Sequence, residues 1–256
     1  MTQHPQLEKF TLQDLPSDAA AQVFQTQGCL QITDFLPLST LQILKDEAAK
    51  TYQSQMKTDT FARVGHKRRM INLPIHDAFD DPALYAPRAL TLCLDRILGT
   101  AHIINCFCCV VSQPGAESQH THTDYQGLFA SPLDYMTPAF ALNLFVPLVP
   151  LNAINGTTQM WPGTHRKPLS NPEDQAGVCP DVPLGSALLM DYRVQHRGTA
   201  NRSQDLRPII TLGFSRKWFI DTSNFSKIDP LNLDRQRYEQ MDSAQQTLFE
   251  RAKLYF

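Results

Sequence analysis

Long apolar runs, an excess of charge of either sign, internal repeats and paired C-x₂-C motifs are all missing from this sequence. No stretch approaches the ~20 consecutive apolar residues that a membrane-spanning helix needs. Lysine plus arginine (23) nearly balances aspartate plus glutamate (25), so no basic face for nucleic acid or an anionic membrane stands out. No low-complexity tract or long linker divides the chain, and 256 residues suffice for one large core. The opening MTQHPQLEKF lacks a charged-then-apolar leader pattern. The expectation is a cytoplasmic soluble protein with neither a nucleic-acid nor a membrane partner.

Three of the six cysteines, Cys106, Cys108 and Cys109, crowd into INCFCCVV, an apolar run that reads as a buried strand. Their C-x-C-C spacing differs from zinc-ribbon pairs, and Cys29, Cys93 and Cys179 are scattered. All six are expected to be reduced structural thiols.

Helix signals come first. Ser17 suits an N-cap and Gly28 a stop, and LSTLQILKDEAAKTYQSQM carries helical apolar spacing. DPALYAPRALTLCLDRILG reads as a further helix ending at Gly99. From residue 101 the character changes to β-rich runs: AHIINCFCCVV, FALNLFVPLV, GSALLMDY and IITLGFSRKWF. After Ile220 the chain turns polar, with DRQRYEQMDSAQQTLFERAKLYF as a last helix. These runs suggest an α+β protein, a barrel or sandwich packed against helices. The connections at 113–139 and 150–184 exceed ordinary loop length, as functional or disordered loops do, and both lie close to the candidate chemistry.

Chemistry concentrates in QHTHTDYQ. His120, His122 and Asp124 alternate, and in an extended segment such residues share a face. His196, at the end of DYRVQH after an apolar strand, supplies a further imidazole. Two histidines and a carboxylate leave adjacent open positions on a metal, as in non-haem Fe(II) oxygenases, while zinc also accepts such ligands with a water. Arg207 opens the next strand. A buried guanidinium there needs a carboxylate, and its planar fork suits a bidentate one. A 2-oxoglutarate-dependent iron enzyme provides that partner; a zinc hydrolase has no general need of it.

Four blocks of sequence resemble the phytanoyl-CoA dioxygenase family of Fe(II)/2-oxoglutarate oxygenases: QPGAESQHTHTD, NGTTQMWPGTHR, DYRVQHRGTANRSQDLR and the helical DPALYAPRALTLCLDRILG. Thr164 stands where the family usually has serine. The resemblance implies a double-stranded β-helix (jelly roll) with flanking helices. It implies one dioxygenase domain over residues 1–256, with a helical part to about 100, a barrel over about 101–220 and a C-terminal helical segment over 221–256. His122, Asp124 and His196 become iron ligands and Arg207 the holder of the outer carboxylate of 2-oxoglutarate. Gln119 and Thr158 match positions that touch this co-substrate, and Asn143, a polar residue in an apolar strand, is read as a third contact. His120 becomes a neighbour of the metal and His165 a loop-fixing hydrogen-bonder.

The implied reaction consumes O₂ and 2-oxoglutarate, releases succinate and CO₂, and hydroxylates or otherwise oxidises a C–H bond. Related halogenases replace the metal carboxylate by glycine or alanine, so Asp124 favours oxygenation. Tyr125, Phe129, Trp161, Tyr192 and Trp218 are the candidate substrate lining. The substrate is expected to be a small or medium-sized free metabolite, since no basic cluster announces a coenzyme-A pyrophosphate. The segment after Ile220 covers the barrel or mediates self-association as a homodimer. Competing readings are a zinc- or manganese-dependent barrel hydrolase or isomerase, and a non-catalytic ligand-binding barrel.

Overall fold

In the computed structural model, which describes residues 6–125, 127–225 and 227–256, strand β1 (Lys9–Thr11) leads into helix α1 (Asp18–Gln27). The Ser17 hydroxyl accepts the Ala20 N–H at the start of α1, as the N-cap signal predicts. Gly28 ends it in the left-handed region, at φ 73°, and donates to the Phe24 carbonyl. Strand β2 (Cys29–Thr33) precedes the long helix α2 (Leu38–Thr58). Leu41, Leu44, Ala48 and Tyr52, spaced at helical intervals, form the buried stripe of α2. Ile43, also expected in that stripe, is exposed.

Two short strands follow, β3 (Ala62–Arg63) and β4 (Arg68–Asn72). The helix expected over residues 81–99 is two, α3 (Pro82–Tyr85) and α4 (Arg88–Leu98). Pro87 causes the break, because a proline disfavours helical backbone in the residue before it; Ala86 leaves the helix at φ −138°.

The β-rich half contains β5 (His102–Ser112), the short helix α5 (Leu133–Met136), β6 (Ala141–Pro147), β7 (Thr158–Met160), β8 (Ala187–Asp191), β9 (His196–Gly198) and β10 (Arg207–Arg216). The expected C-terminal helix is likewise broken, into α6 (Arg235–Gln240) and α7 (Ser243–Leu248). Met241 is extended at ψ 151°, and Asp242 starts α7 with a capping box to Gln245. No described helix is long and apolar enough to cross a membrane.

Eight strands form one sheet in the order β1-β2-β8-β6-β10-β5-β4-β3, antiparallel except for β1 beside β2. The second sheet is β7 with β9, widened by antiparallel bridges from His122 to His196 and from Val178 to Met160. Together they make the α+β, jelly-roll architecture that the resemblance implies, as an open pair of sheets. β1 to β4 come from the first hundred residues, so that stretch is not purely helical: it completes the large sheet at both edges.

Side chains alternate along each strand, and the large sheet uses both faces. Outward, Phe107, Cys109, Leu142, Leu144, Ile210 and Leu212 join the core beneath α2 and α4. Inward, Cys106 and Cys108 of β5, Asn143 and Phe145 of β6, and Arg207 and Thr211 of β10 face a cavity of about 590 Å³ between the sheets. Burial on both faces explains why these strands read as continuous apolar runs. The cysteines are all free; five are buried and Cys179 is exposed. Burial pushes the Cys29, Cys93 and Cys109 thiols up to about 12.

Gly28 tests this packing. A Cβ there would lie 2.5 Å from His165 Nδ1 and 2.6 Å from Val194 Cγ2, at a positive φ. Gly28→Ala is therefore expected to destabilise the protein by at least ~1–2 kcal/mol, read as a lower urea midpoint at an unchanged m-value. An unaltered midpoint would refute the close packing of His165 on α1.

Candidate active site

The segment around His122 is joined to β9 by a reciprocal main-chain pair: His122 N–H donates to the His196 carbonyl and His196 N–H to the His122 carbonyl, both at 2.9 Å. Directly opposed residues of an antiparallel pair project side chains to the same face, and the two imidazole centroids are 4.5 Å apart. Each ring is then oriented in the same way. His122 Nδ1 lies 2.8 Å from the His120 carbonyl, and His196 Nδ1 lies 3.0 Å from the Val194 carbonyl. A carbonyl only accepts, so both Nδ1 atoms carry hydrogen and both Nε2 atoms present a lone pair. Burial holds the His196 imidazole below its ordinary pKa, partly offset by Asp124.

Asp124 is two residues beyond His122 on the same face. Its Oδ2 accepts the Asn143 carboxamide at 2.8 Å, while Oδ1 lies 3.6 Å from His196 Nε2. Ligand atoms of His122, Asp124 and His196 all fall within 4.8 Å of one another, and no other such group of His, Cys, Asp or Glu occurs among the described residues. Two imidazoles and one carboxylate with a free oxygen form a donor set that suits Fe(II), and an ion held by them would border the cavity. His120, exposed at the cavity rim, contributes its carbonyl to His122 rather than a ring to the group.

Arg207 enters the cavity from the start of β10 and is almost fully buried. It donates through Nη2 to the Ser112 hydroxyl (2.9 Å) and through Nη1 to the carbonyls of Asn155 and Thr199 (both 3.1 Å). Gly156 makes this approach feasible, since a Cβ there would sit 2.3 Å from Nη1. A second buried guanidinium, Arg68 of β4, shares two of those partners: Nε donates to the Ser112 hydroxyl (2.8 Å) and Nη2 to the Thr199 carbonyl (3.0 Å). None of these partners is a carboxylate. Arg207 Nε and Arg68 Nη1 are buried with no hydrogen-bond partner among the described residues. Burial pushes Arg207 down to about 9, assisted by the charge of Arg68, and Arg68 itself to about 10. Two close, buried cations with idle donors fit a carboxylate-bearing guest.

Sequence reasoning missed Arg68. It stands in HKRRMIN, which reads as a solvated basic turn, and its only signal is alternation: Arg68 and Met70 are buried while Arg69 is half-buried.

The other expected site residues are placed as follows. Thr158, on β7, lines the cavity. Gln119 also borders it, but both ends of its carboxamide are engaged: Nε2 donates to the Val64 carbonyl (2.7 Å) and Oε1 accepts the Gly198 N–H (2.8 Å). Asn143 turns its amide to Asp124, leaving its own Oδ1 buried without a partner. Of the five aromatic candidates, Tyr192 lines the cavity and the others do not. Tyr125 packs on Phe219 at 5.0 Å, Trp161 is buried and donates to the Gln175 carbonyl, and Phe129 and Trp218 are largely exposed. Aromatic side chains near a metal motif fill the surrounding shell as readily as the pocket, which is why type and proximity in sequence did not separate them.

The fold and this site define a non-haem iron, 2-oxoglutarate-dependent dioxygenase. The chain belongs to the phytanoyl-CoA dioxygenase (PhyH) family, whose profile matches residues 24–209. It is 26% identical over 262 residues to the multifunctional dioxygenase ausE of Penicillium brasilianum, covering 93% of this chain and 85% of that protein. Among solved structures, HygX from Streptomyces hygroscopicus with nickel and 2-oxoglutarate bound superposes with a TM-score of 0.63 at 12% identity, over 84% of this chain and 94% of HygX. AviO1 from Streptomyces viridochromogenes gives 0.62 at 18% identity, over 80% of this chain and 97% of its own. At such identities these structures speak for the fold.

Two histidines near the site are buried in the neutral form. Burial lowers both His196 and His165, the latter donating through Nε2 to the Gln25 carbonyl at 3.2 Å. A depressed folded-state pKa contributes stability above the unfolded value of about 6.5, and that contribution is lost as pH falls from there toward the folded value. The metal-free protein is thus expected to lose stability between pH 7 and pH 5, and His165→Asn to flatten that slope in urea melts. An identical slope in the variant would contradict the assignment.

Proposed function

We propose that the protein uses Fe(II), 2-oxoglutarate and O₂ to hydroxylate a small or medium-sized free metabolite, with His122, Asp124 and His196 as the iron ligands. The observation that carries this reading is the pairing of two features in one cavity. At one place stands a two-histidine, one-carboxylate group with its nitrogen lone pairs directed together. At another stand two buried guanidiniums without a counter-charge. A zinc or manganese hydrolase would use the first and leave the second unexplained.

His122 and His196 would bind through Nε2 and Asp124 through Oδ1, the oxygen that Asn143 leaves free. Arg207 and Arg68 would take the outer carboxylate of 2-oxoglutarate, with Thr158 alongside. Gln119 would act on this guest indirectly, by fixing Gly198 of β9 and the Val64 carbonyl. The bound iron with its co-substrate supplies oxidation of an unactivated C–H bond, with succinate and CO₂ as by-products. The protein's own part is orientation and a dry, shaped chamber. Tyr192 lines this chamber, and burial above all, then Cys106, Asp221 and Asp124, raises its phenol well above the ordinary value.

Met70, Cys108, Val110 and Phe225 give the cavity lining apolar surface for a substrate. The only arginines or lysines in the described lining are Arg68 and Arg207. Once these hold the co-substrate, no fixed cation is left for a pyrophosphate, which supports a free metabolite over a coenzyme-A ester. One catalytic domain over residues 1–256 accords with β1 to β4 sharing the large sheet with β5, β6, β8 and β10.

Anaerobic addition of Fe(II) and 2-oxoglutarate is expected to produce a visible charge-transfer band. Asp124→Ala and His196→Ala should abolish it. Arg207→Ala and Arg68→Ala should retain it but need ~10–100-fold more 2-oxoglutarate, the worth of a charge-assisted contact. No band in the intact protein, with zinc or manganese retained instead, would overturn the reading.

A further inference from the structure

After β10 the chain turns back beside the cavity, and Asp221, Asn224 and Phe225 form part of its wall. The turn is tied by side chains. Asp221 Oδ1 accepts the main-chain N–H groups of Ser223 (3.0 Å) and Asn224 (3.1 Å). Asp221 Oδ2 accepts one hydrogen of the Asn224 carboxamide at 2.8 Å. The same Nδ2 donates to the main-chain carbonyl of Asp124 at 2.7 Å. A carboxamide nitrogen has two hydrogens; both are used, so the direction of Asn224 is fixed.

Asp124 is thereby held at three points. Its N–H donates to the Tyr192 carbonyl (2.9 Å), its carboxylate accepts from Asn143 (2.8 Å), and its carbonyl accepts from Asn224. Asn143 lies on β6 and Tyr192 directly follows β8, whereas Asn224 belongs to an irregular segment beyond the sheet. That segment is seated by Phe225 and Ile228, which pack against a cluster of Ala62, Met70 and Cys108.

We infer that Asn224 is a positioning residue of the metal centre, setting the direction of the Asp124 carboxylate through the Asp124 peptide. The inference rests on the metal reading of the triad proposed above. Without this bond only the peptide before Asp124 is pinned, through the Asp124 N–H, and rotation about the Asp124 N–Cα bond swings the carboxylate that Asn143 must hold. Outer contacts that orient a ligand are commonly worth 10–100-fold in metal affinity. On this inference the segment after Ile220 would serve the metal centre as well.

The test compares the wild type, Asn224→Ala and Ile228→Ala as metal-free full-length proteins. Fe(II) affinity is measured anaerobically by competition with a chromophoric chelator, and thermal midpoints are recorded without metal. Asn224→Ala is expected to bind Fe(II) about 10-fold or more weakly. Ile228→Ala loosens the same segment without touching the Asn224 contacts, and is expected to lower the midpoint while keeping affinity within about 2-fold. Asn224→Asp, which keeps the size but loses the amide hydrogens, should match the alanine variant. Equal affinity in the wild type and Asn224→Ala would overturn the inference, as would an equal loss in Ile228→Ala. A wild type that binds no Fe(II) would instead defeat the metal reading itself.

Discussion

Two hydrogen bonds between the main chains of His122 and His196 join a long loop to a three-residue strand, and the chemistry is arranged around that junction. β9 is also paired with β7, Met160 opposite His196, so the strand that carries the second imidazole is held on both sides. The pairing of His122 with His196 brings both rings to one face, and each Nδ1 reaches the carbonyl two residues back, so the orientation of both rings follows from backbone geometry. Asp124 is carried to the same face by alternation and is then fixed by its own contacts. Precision at the three candidate ligands thus comes from main-chain pairing, which is stiffer than a set of side chains packed in a loop.

Electrostatics divides the cavity. The guanidiniums of Arg68 and Arg207 are withdrawn from water, linked only through the neutral oxygens of Ser112 and Thr199, and both are pushed below the ordinary arginine range. Burying two like charges together is costly unless a counter-charge arrives. The folded protein therefore carries an unfavourable term that a dicarboxylate would relieve, and binding of such a guest is coupled to stability. The rest of the described lining mixes apolar side chains such as Met70, Cys108, Val110 and Phe225 with polar ones and carries no further arginine or lysine, so a carboxylate guest has these two guanidiniums as its counter-charge.

Much of this was legible from residue patterns. Ser17 and Gly28 marked α1 because caps obey local rules, and the runs at 101–111, 140–149 and 185–192 marked strands because both of their faces are buried. The ordered motif blocks carried the family. Other features were hidden for physical reasons. Arg68 lies in a basic tripeptide whose composition is that of a solvated turn, and only its pairing with β5 takes it indoors. Pro87 and Met241 split helices whose composition suits a continuous one. Asn143 and Gln119 line the cavity as expected of co-substrate neighbours, but their hydrogen bonds to Asp124 and to Gly198 and Val64 involve partners that only tertiary structure brings near. Asn224, distant in sequence from every motif, could not be connected with Asp124 before the fold was known.

The most direct test of the account is a crystal structure grown anaerobically with Mn(II), as a redox-inert stand-in for iron, and 2-oxoglutarate. The account predicts metal density among His122 Nε2, Asp124 Oδ1 and His196 Nε2, with the outer carboxylate of the co-substrate against both Arg68 and Arg207. A metal bound by other residues, or a co-substrate that leaves the two guanidiniums without a carboxylate, would contradict it.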